Sequence, residues 1–510
     1  MKQIERTILG PPGCGKTHTN TLLIKQCIED GIAPQRIACV SFTRKAAQES
    51  RERVCRDLGI SDKDLPYFQT LHSMAFRTGD YKKEDVIRGK DLWTVGSATG
   101  VAFNGKETSE IESDFDVIGI SKGDQYLNVY QLGRNKRLSL DESFRLFASY
   151  SLNWVEFLRL VKAYESYKRA NNKVDFTDMI ERFIDRGQPI DIEALFVDEA
   201  QDLSTLQWDM IEVLRRRPRI KYFTGDDDQA IMGFQGADVG RFLNATKDKQ
   251  VLEKSYRLPK QPWHEAQRIV SRIHNRAPKS WNPRSDNGSV RWHQSLQDIP
   301  LHEGEWTIMG RTNHIVSGYA NMLREDGIVF SRNGRLSISQ KTHDAVRNWQ
   351  SLITGTPITA KQIRNIYSFM SSGVGFKRGY GPRSKALLAL DEQMEITYEY
   401  AVQSLGLMID RGKDWNFALD KLDTDTQVYI LSALKRGENL DSPRIKLSTI
   451  HSMKGGENEN IVVIPDLSPA AYQSYMHNPD IEHRIYYVAV TRSKSTLHFI
   501  EPQTNRFYTI

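Results

Sequence analysis

The apolar triplet Thr7-Ile8-Leu9 runs directly into Gly10-Pro11-Pro12-Gly13-Cys14-Gly15-Lys16-Thr17, and apolar residues recur beyond it at Leu22, Leu23, Ile24 and Cys27. No other feature constrains the fold as much. A glycine-rich turn between a buried strand and a helix lets successive backbone N–H groups and the helix N-terminus converge on one anion. The spacing fits the phosphate loop G-x-x-x-x-G-K-[ST]. Gly31 breaks the helical pattern, and Ile37-Ala38-Cys39-Val40-Ser41-Phe42 reads as a second strand, so the segment begins a parallel α/β sheet.

In such a loop Gly10, Gly13 and Gly15 supply backbone freedom, Pro11, Pro12 and Cys14 complete the turn, Lys16 reaches the β- and γ-phosphates, and the Thr17 hydroxyl coordinates Mg²⁺. Far downstream, Leu195-Phe196-Val197-Asp198 is another apolar strand ending in a carboxylate that can meet the same metal. Glu199 beside it is placed to orient or deprotonate a water. Together the segments predict a site that hydrolyses a nucleoside triphosphate, with ATP and Mg²⁺ as cofactors. Gly225-Asp226-Asp227-Asp228-Gln229 follows a further apolar strand. Gln229 there could sense the γ-phosphate, whereas the three aspartates read equally as a solvated turn. Arg257 and Arg492 gain meaning only from their surroundings, because phosphoryl transfer rewards arginines that stabilise charge.

With 510 residues the chain is too long for one core and predicts about three or four domains. Apolar residues make up 39% and charged residues 26%, as in ordinary globular proteins, and no apolar window approaches a membrane span. The start has no room for a signal peptide ahead of the phosphate loop. The four cysteines, Cys14, Cys27, Cys39 and Cys55, lack metal-type spacing and read as thiols of a reducing compartment. A net charge of +6 permits a polyanionic partner without requiring one.

The strand–helix rhythm is lost over residues 78–153 and again over 334–440, which read as insertions. The expected organisation is a first α/β unit at 1–77 and 154–250 and a second at 251–333 and 441–510. Asn153 to Ala170 reads as an amphipathic helix leading back to the core, and no internal repeat is visible in the letters.

The ordered motifs resemble those of the UvrD/Rep/PcrA-type superfamily 1 DNA helicases. Beyond the phosphate loop they are Val40-Ser41-Phe42-Thr43-Arg44-Lys45-Ala46-Ala47, Thr70-Leu71-His72, Asp198-Glu199-Ala200-Gln201-Asp202 and Gly225-Asp226-Asp227-Asp228-Gln229-Ala230-Ile231. Ser255-Tyr256-Arg257, Gly310-Arg311-Thr312-Asn313, the stretch from Ser448 to Glu457, and Tyr487-Val488-Ala489-Val490-Thr491-Arg492 follow in family order. The resemblance implies two RecA-like motor domains with parallel sheets, each interrupted by a mostly helical inserted subdomain. It implies that Arg257 and Arg492 reach the γ-phosphate, that Tyr256 stacks on adenine, and that Glu457 contacts the ribose. Gln201 and Gln229 would link the nucleotide to the opposite motor domain and the DNA. For DNA it implies Phe42, Thr70, His72, Phe234, Arg311, Asn313, Thr449 and His451, with stacking that tolerates any base. Lys377-Arg378-Gly379-Tyr380-Gly381-Pro382-Arg383-Ser384-Lys385 is similar to the family's duplex-gripping loop, and a plain basic loop is the competing reading.

The implied activity is an ATP-dependent helicase or translocase moving 3′→5′ on single-stranded DNA. An ATP-gated DNA-binding switch and the motor subunit of a helicase–nuclease complex are the alternatives. The implied partners are single-stranded DNA, single/double-strand junctions and replication, repair or nuclease proteins, with no membrane, for a monomer in bacterial or phage-infected cytosol. With nine residues ahead of Gly10, the family's adenine-reading leader is expected to be missing, and His18 stands where an arginine often flanks the base. The expectation is relaxed nucleotide selectivity. Met232 and Gln235 replace aromatic and basic family residues around Phe234, and Leu71 replaces a phenylalanine, so weaker stacking on DNA is expected.

Overall fold

A computed structural model describes residues 3–104, 121–187 and 190–510. The chain forms two compact units, one of residues 1–299, 309–313 and 449–510, the other of 300–308 and 314–448. Among the described residues no helix is long and apolar enough to cross a membrane.

The first unit is built on a parallel six-stranded sheet. Its strands are β1 (Ile4–Leu9), β2 (Ile37–Ser41), β3 (Tyr67–Thr70), β4 (Ala194–Asp198), β5 (Ile220–Gly225) and β6 (Asp248–Val251), in the spatial order β3-β2-β4-β5-β1-β6. Alternation along the strands divides the core between two faces. Ile37, Cys39, Ala194 and Phe196 join one apolar cluster with Ile24 and Val54, while Ala38, Val40, Leu195 and Val197 join another with Ile180 and Ile211. Helices therefore cover both sides, as a purely parallel sheet requires.

Register decides what this sheet can do. Ser41 pairs with Thr70 and with Asp198, and Leu9 pairs with Gly225 and with Val251. The loops that follow these residues all leave the same carboxyl edge of the sheet, where α/β proteins bind ligands.

The helix Trp154–Ala170, expected to lead back to this core, packs instead on the insertion. Its Phe157, Leu160, Val161 and Tyr164 lie against Leu92, Val95, Tyr126 and Tyr130. Beneath them Lys168 and Arg134 neutralise Asp175 and Asp178, tying the insertion to the helix Phe176–Arg186. The same unit contains a second parallel group in which Ser493–Ile500 pairs with both Asn458–Val463 and Ser289–His293, packed under the helices Lys260–Val270 and Pro479–Val490.

The other unit has its own core around Trp349, Ile363, Tyr367, Leu387 and Ile430. The long helices Gln340–Thr354, Ala360–Ser368 and Thr424–Lys435 enclose that core, and Phe330–Arg332 pairs in parallel with Ile445–Leu447.

Candidate nucleotide site and nucleic-acid surface

The phosphate loop connects β1 to the helix Lys16–Glu29. Gly13 and Gly15 have φ of 71° and 79°, a backbone region that side chains disfavour. A Cβ on Gly13 would collide with the Arg257 side chain and approach Ser255 Oγ to 2.9 Å. Gly15 brings no side chain to cap the helix, so its N-terminal amides remain available to an anion. Lys16 Nζ lies in the turn, donating to Gly10 O at 3.0 Å. This concave, amide-lined loop with a lysine inside it fits a triphosphate.

The loop is held from the second half of the same unit. Ser255 Oγ donates to Pro12 O at 2.8 Å and Tyr256 N donates to Gly13 O at 2.8 Å. Tyr256 then leaves its ring 67% exposed, 3.9 Å from where a Gly15 Cβ would stand, a position suited to stacking on a base. His18 is exposed on the same side. Arg257 donates to Glu457 at 2.6 Å, so the residue expected at the ribose is paired here with an arginine expected at the γ-phosphate. Cys14 is buried in this junction, and burial pushes its thiol up to about 12, which suppresses the thiolate needed for oxidation.

Asp198 and Glu199 occupy the adjacent strand end. Burial and the neighbouring Glu199 push Asp198 up to about 7, as expected of a buried acid before it meets a cation. Burial also pushes Glu199 upward, but Lys16, Lys454 and Arg492 with the Gln201 amide more than reverse this and hold it below its ordinary value. Glu199 has φ 49° and ψ 42°, a left-handed conformation costing a non-glycine residue roughly 1–2 kcal/mol. Strain of this kind persists where the surroundings over-determine the backbone, and here it aims the carboxylate. Thr17 lies half-buried at the start of the facing helix, so an oxygen donor set of Thr17 and Asp198 suits Mg²⁺.

A continuous hydrogen-bonded path leaves Glu199. Gln201 Nε2 donates to Glu199 Oε2 at 2.7 Å, and Gln201 Oε1 accepts from Asp226 N at 3.0 Å. Asp226 Oδ2 accepts from Gln229 Nε2 at 2.7 Å, and Gln229 Oε1 accepts from Arg492 Nη2 at 2.8 Å. Arg492 is fully buried, also donating to Val488 O and Gly456 O. Burial and Arg257 lower its pKa, yet a guanidinium remains charged in proteins. Lys454 Nζ closes the path from the side, bonding Asp202 and the Gln229 carbonyl.

The residues assigned to DNA lie at related strand ends. Thr70 ends β3, and its hydroxyl meets Ser73 Oγ at 2.9 Å and accepts from Ser73 N at 3.2 Å. Thr449 ends the strand Ile445–Thr449, and its hydroxyl repeats both contacts with Ser452 at the same distances. The letters repeat as well, Thr70-Leu71-His72-Ser73-Met74 against Thr449-Ile450-His451-Ser452-Met453, so the chain does carry a short internal repeat. His451 meets Phe234 edge-on at 5.4 Å, and His72 meets Phe176 edge-on at 5.9 Å. Burial with the nearby Arg44 lowers His72 to about 4, leaving it neutral at physiological pH. Phe42 is half-buried beyond β2. Arg311 is fully buried against Glu482 at 2.8 and 3.0 Å, and Asn313 is half-buried at the start of its helix. Arg378 belongs to the other compact unit, exposed on a loop whose Lys377 N bonds Gly406 O.

Asp202, Asp226, Arg276, Lys279 and Lys454 received no role from sequence. Asp202, Asp226 and Lys454 stand inside recognised motifs, which was their available signal. Arg276 and Lys279 stand outside all of them.

Residues 2–250 match the UvrD/REP helicase N-terminal domain, and residues 303–504 match the UvrD-like helicase C-terminal domain. The chain is 24% identical over 387 residues to the ATP-dependent DNA helicase PcrA of Bacillus subtilis, covering 71% of this chain and 50% of that protein. It is 24% identical over 437 residues to PcrA of Leuconostoc citreum, covering 78% and 56%, and 22% identical over 454 residues to PcrA of Staphylococcus aureus, covering 79% and 57%. The chain thus spans about half the length of these relatives. With both halves matched in order, and with the strand-end loops of the first sheet carrying the motifs that the family implies, the chain belongs to the UvrD/Rep helicase family.

Proposed function

We propose that the chain is an ATP-driven motor that moves 3′→5′ along single-stranded DNA and separates strands at single/double-strand junctions. The observation that carries this reading is the path from Glu199 through Gln201, Asp226 and Gln229 to Arg492. It joins the water-activating end of the site to an arginine contributed by residues remote in sequence, so a change at one end must be felt at the other.

In this reading bound Mg²⁺·ATP supplies the phosphoryl group and the charge that the site is built to neutralise. Lys16 and the amides of residues 10–17 hold the phosphates, Thr17 and Asp198 the metal, and Glu199 orients water and accepts its proton. Arg257 and Arg492 stabilise charge that grows in the transition state, which requires Arg257 to exchange Glu457 for phosphate. Tyr256, with His18 beside it, stacks on the base. Phe42, Thr70, His72, Phe234, Asn313, Thr449 and His451 form the strand-binding surface. The Thr70 and Thr449 hydroxyls are held alike by Ser73 and Ser452, while Arg311 acts by holding Glu482 in the supporting core. Residues 1–77 with 154–250 and residues 251–333 with 441–510 are assigned as the two motors.

Strand displacement with 3′-tailed, 5′-tailed and blunt duplexes tests this directly. Product from the 3′-tailed substrate alone is expected. DNA-stimulated ATP hydrolysis with no displaced strand on any substrate would make the chain a DNA-binding switch or a motor subunit instead.

A further inference from the structure

The three aspartates that follow β5 are buried throughout, not solvated. Their counter-charges come from Arg276-Ala277-Pro278-Lys279, a segment outside every motif. The Lys279 side chain is wholly buried, with Nζ 3.2 Å from Asp226 Oδ1 and 2.9 Å from Asp228 Oδ2, and it also meets Asp227. Arg276 binds Asp228 through Nε and Nη2 at 2.8 and 2.7 Å, and Ala277 N donates to Asp227 Oδ2 at 2.8 Å. Adjacent buried carboxylates cannot all stay ionised without such cations.

Asp226 is the hub of this arrangement. Its side chain holds the Gln229 amide and so fixes the face that Gln229 presents to Arg492. Its backbone N–H holds Gln201, which in turn holds Glu199. Among the described residues Lys279 forms ion pairs with these three aspartates and with no part of the phosphate loop.

We propose that Lys279, supported by Arg276, is a positioning residue for nucleotide hydrolysis, fixing Asp226 so that Gln229 stays on Arg492 and Gln201 stays on Glu199. The proposal rests on the hydrolase reading above and adds to it a residue whose ion pairs are to the three aspartates and not to the phosphate loop. Without Lys279, three buried carboxylates share one arginine, and the least supported of them, Asp226, takes up a proton. A protonated Asp226 no longer offers Gln229 a charged acceptor, and the amide is released from its orientation toward Arg492.

The test compares wild type, Lys279→Met, Lys279→Arg, Gln229→Ala and the Lys279→Met/Gln229→Ala double variant. Three quantities are read: kcat for single-strand-stimulated ATP hydrolysis, Kd for a fluorescent non-hydrolysable ATP analogue, and thermal midpoint. Lys279→Met should lower kcat roughly ten- to hundred-fold, the worth of one charge-assisted hydrogen bond, and change Kd less than about threefold. Lys279→Arg should recover most of the loss, and Gln229→Ala should cost nothing further once Lys279 is gone. Multiplying losses in the double variant, or a kcat loss that only tracks the folded fraction, would overturn the proposal. Should Lys279→Met fail to fold, the partly exposed Arg276→Gln variant must show the same non-additivity with Gln229→Ala, and additivity there overturns it equally. Absence of hydrolysis by the wild type would overturn the hydrolase reading and this one together, whereas wild-type hydrolysis with multiplying losses overturns this one alone.

Discussion

Replacing Lys454 by methionine should destabilise the region around Asp202 in a manner that grows with pH. Lys454 is 10% exposed and Asp202 2%, and the ammonium bonds both carboxylate oxygens and the Gln229 carbonyl. Burial pushes Asp202 up to about 6, with Lys454 opposing that push. A carboxylate whose folded pKa exceeds its unfolded value loses stability as pH rises between the two. In the wild type this loss ends near pH 6, at about 3 kcal/mol. Without Lys454 the carboxyl stays protonated to higher pH, and by pH 7.5 the ceiling is about 5 kcal/mol. The variant should therefore lose about 2 kcal/mol more than wild type at pH 7.5 from this source, and about 1 kcal/mol from the lost bond to Gln229 at any pH. Near pH 6 only the second loss should remain. Native-state hydrogen exchange of peptides spanning Glu199 to Gln229, compared at pH 6.0 and 7.5, reads these local free energies. Lys454→Met/Asp202→Asn should remove the pH-dependent part. Equal destabilisation at both pH values would refute the reasoning, as would a double variant as pH-sensitive as the single one.

Three further outcomes follow from the site. Lys16→Ala and Glu199→Gln should each abolish DNA-stimulated ATP hydrolysis while leaving single-strand binding by fluorescence anisotropy intact; turnover retained in both would remove the site assignment. Gly13→Ala places a methyl group at a φ of 71° and against Arg257, so nucleotide affinity should fall about five- to thirtyfold from the backbone cost alone, measured by analogue titration. His483 is buried beside Tyr508, and burial with Arg272 lowers it to about 4. Below pH 6.5 the unfolded chain gains a proton that the folded one refuses, so stability should drop by up to about 2 kcal/mol as pH falls toward 4. His483→Gln should flatten that slope in urea titrations, and an unchanged slope would count against it.

The sequence reached the phosphate loop, the Asp198–Glu199 strand end and the two-part α/β organisation because each is written in a few consecutive residues. A glycine turn, an apolar run and a terminal carboxylate need no distant partner to be read. The helix Trp154–Ala170 was legible as a helix, yet its periodicity could not say which core its apolar face meets. The echo at Thr70 and Thr449, identical at four of five positions, is too short to read as a repeat from the letters alone, and the shared serine contacts reveal it.

Tertiary structure alone decided the electrostatics. Asp226-Asp227-Asp228 has the composition of a solvated turn, and nothing local distinguishes it from one. Lys279 lies about fifty residues away in sequence, and the register of the sheet with the packing of the second half brings its ammonium among the three carboxylates. Arg492 likewise becomes a member of the site through one bond to Gln229 across 263 residues. Charge pairing in a buried site depends on distance in space, and a parallel sheet gathers its strand ends from all along the chain. The sequence therefore determined which chemical groups this protein owns, and the fold determined which of them share a charge.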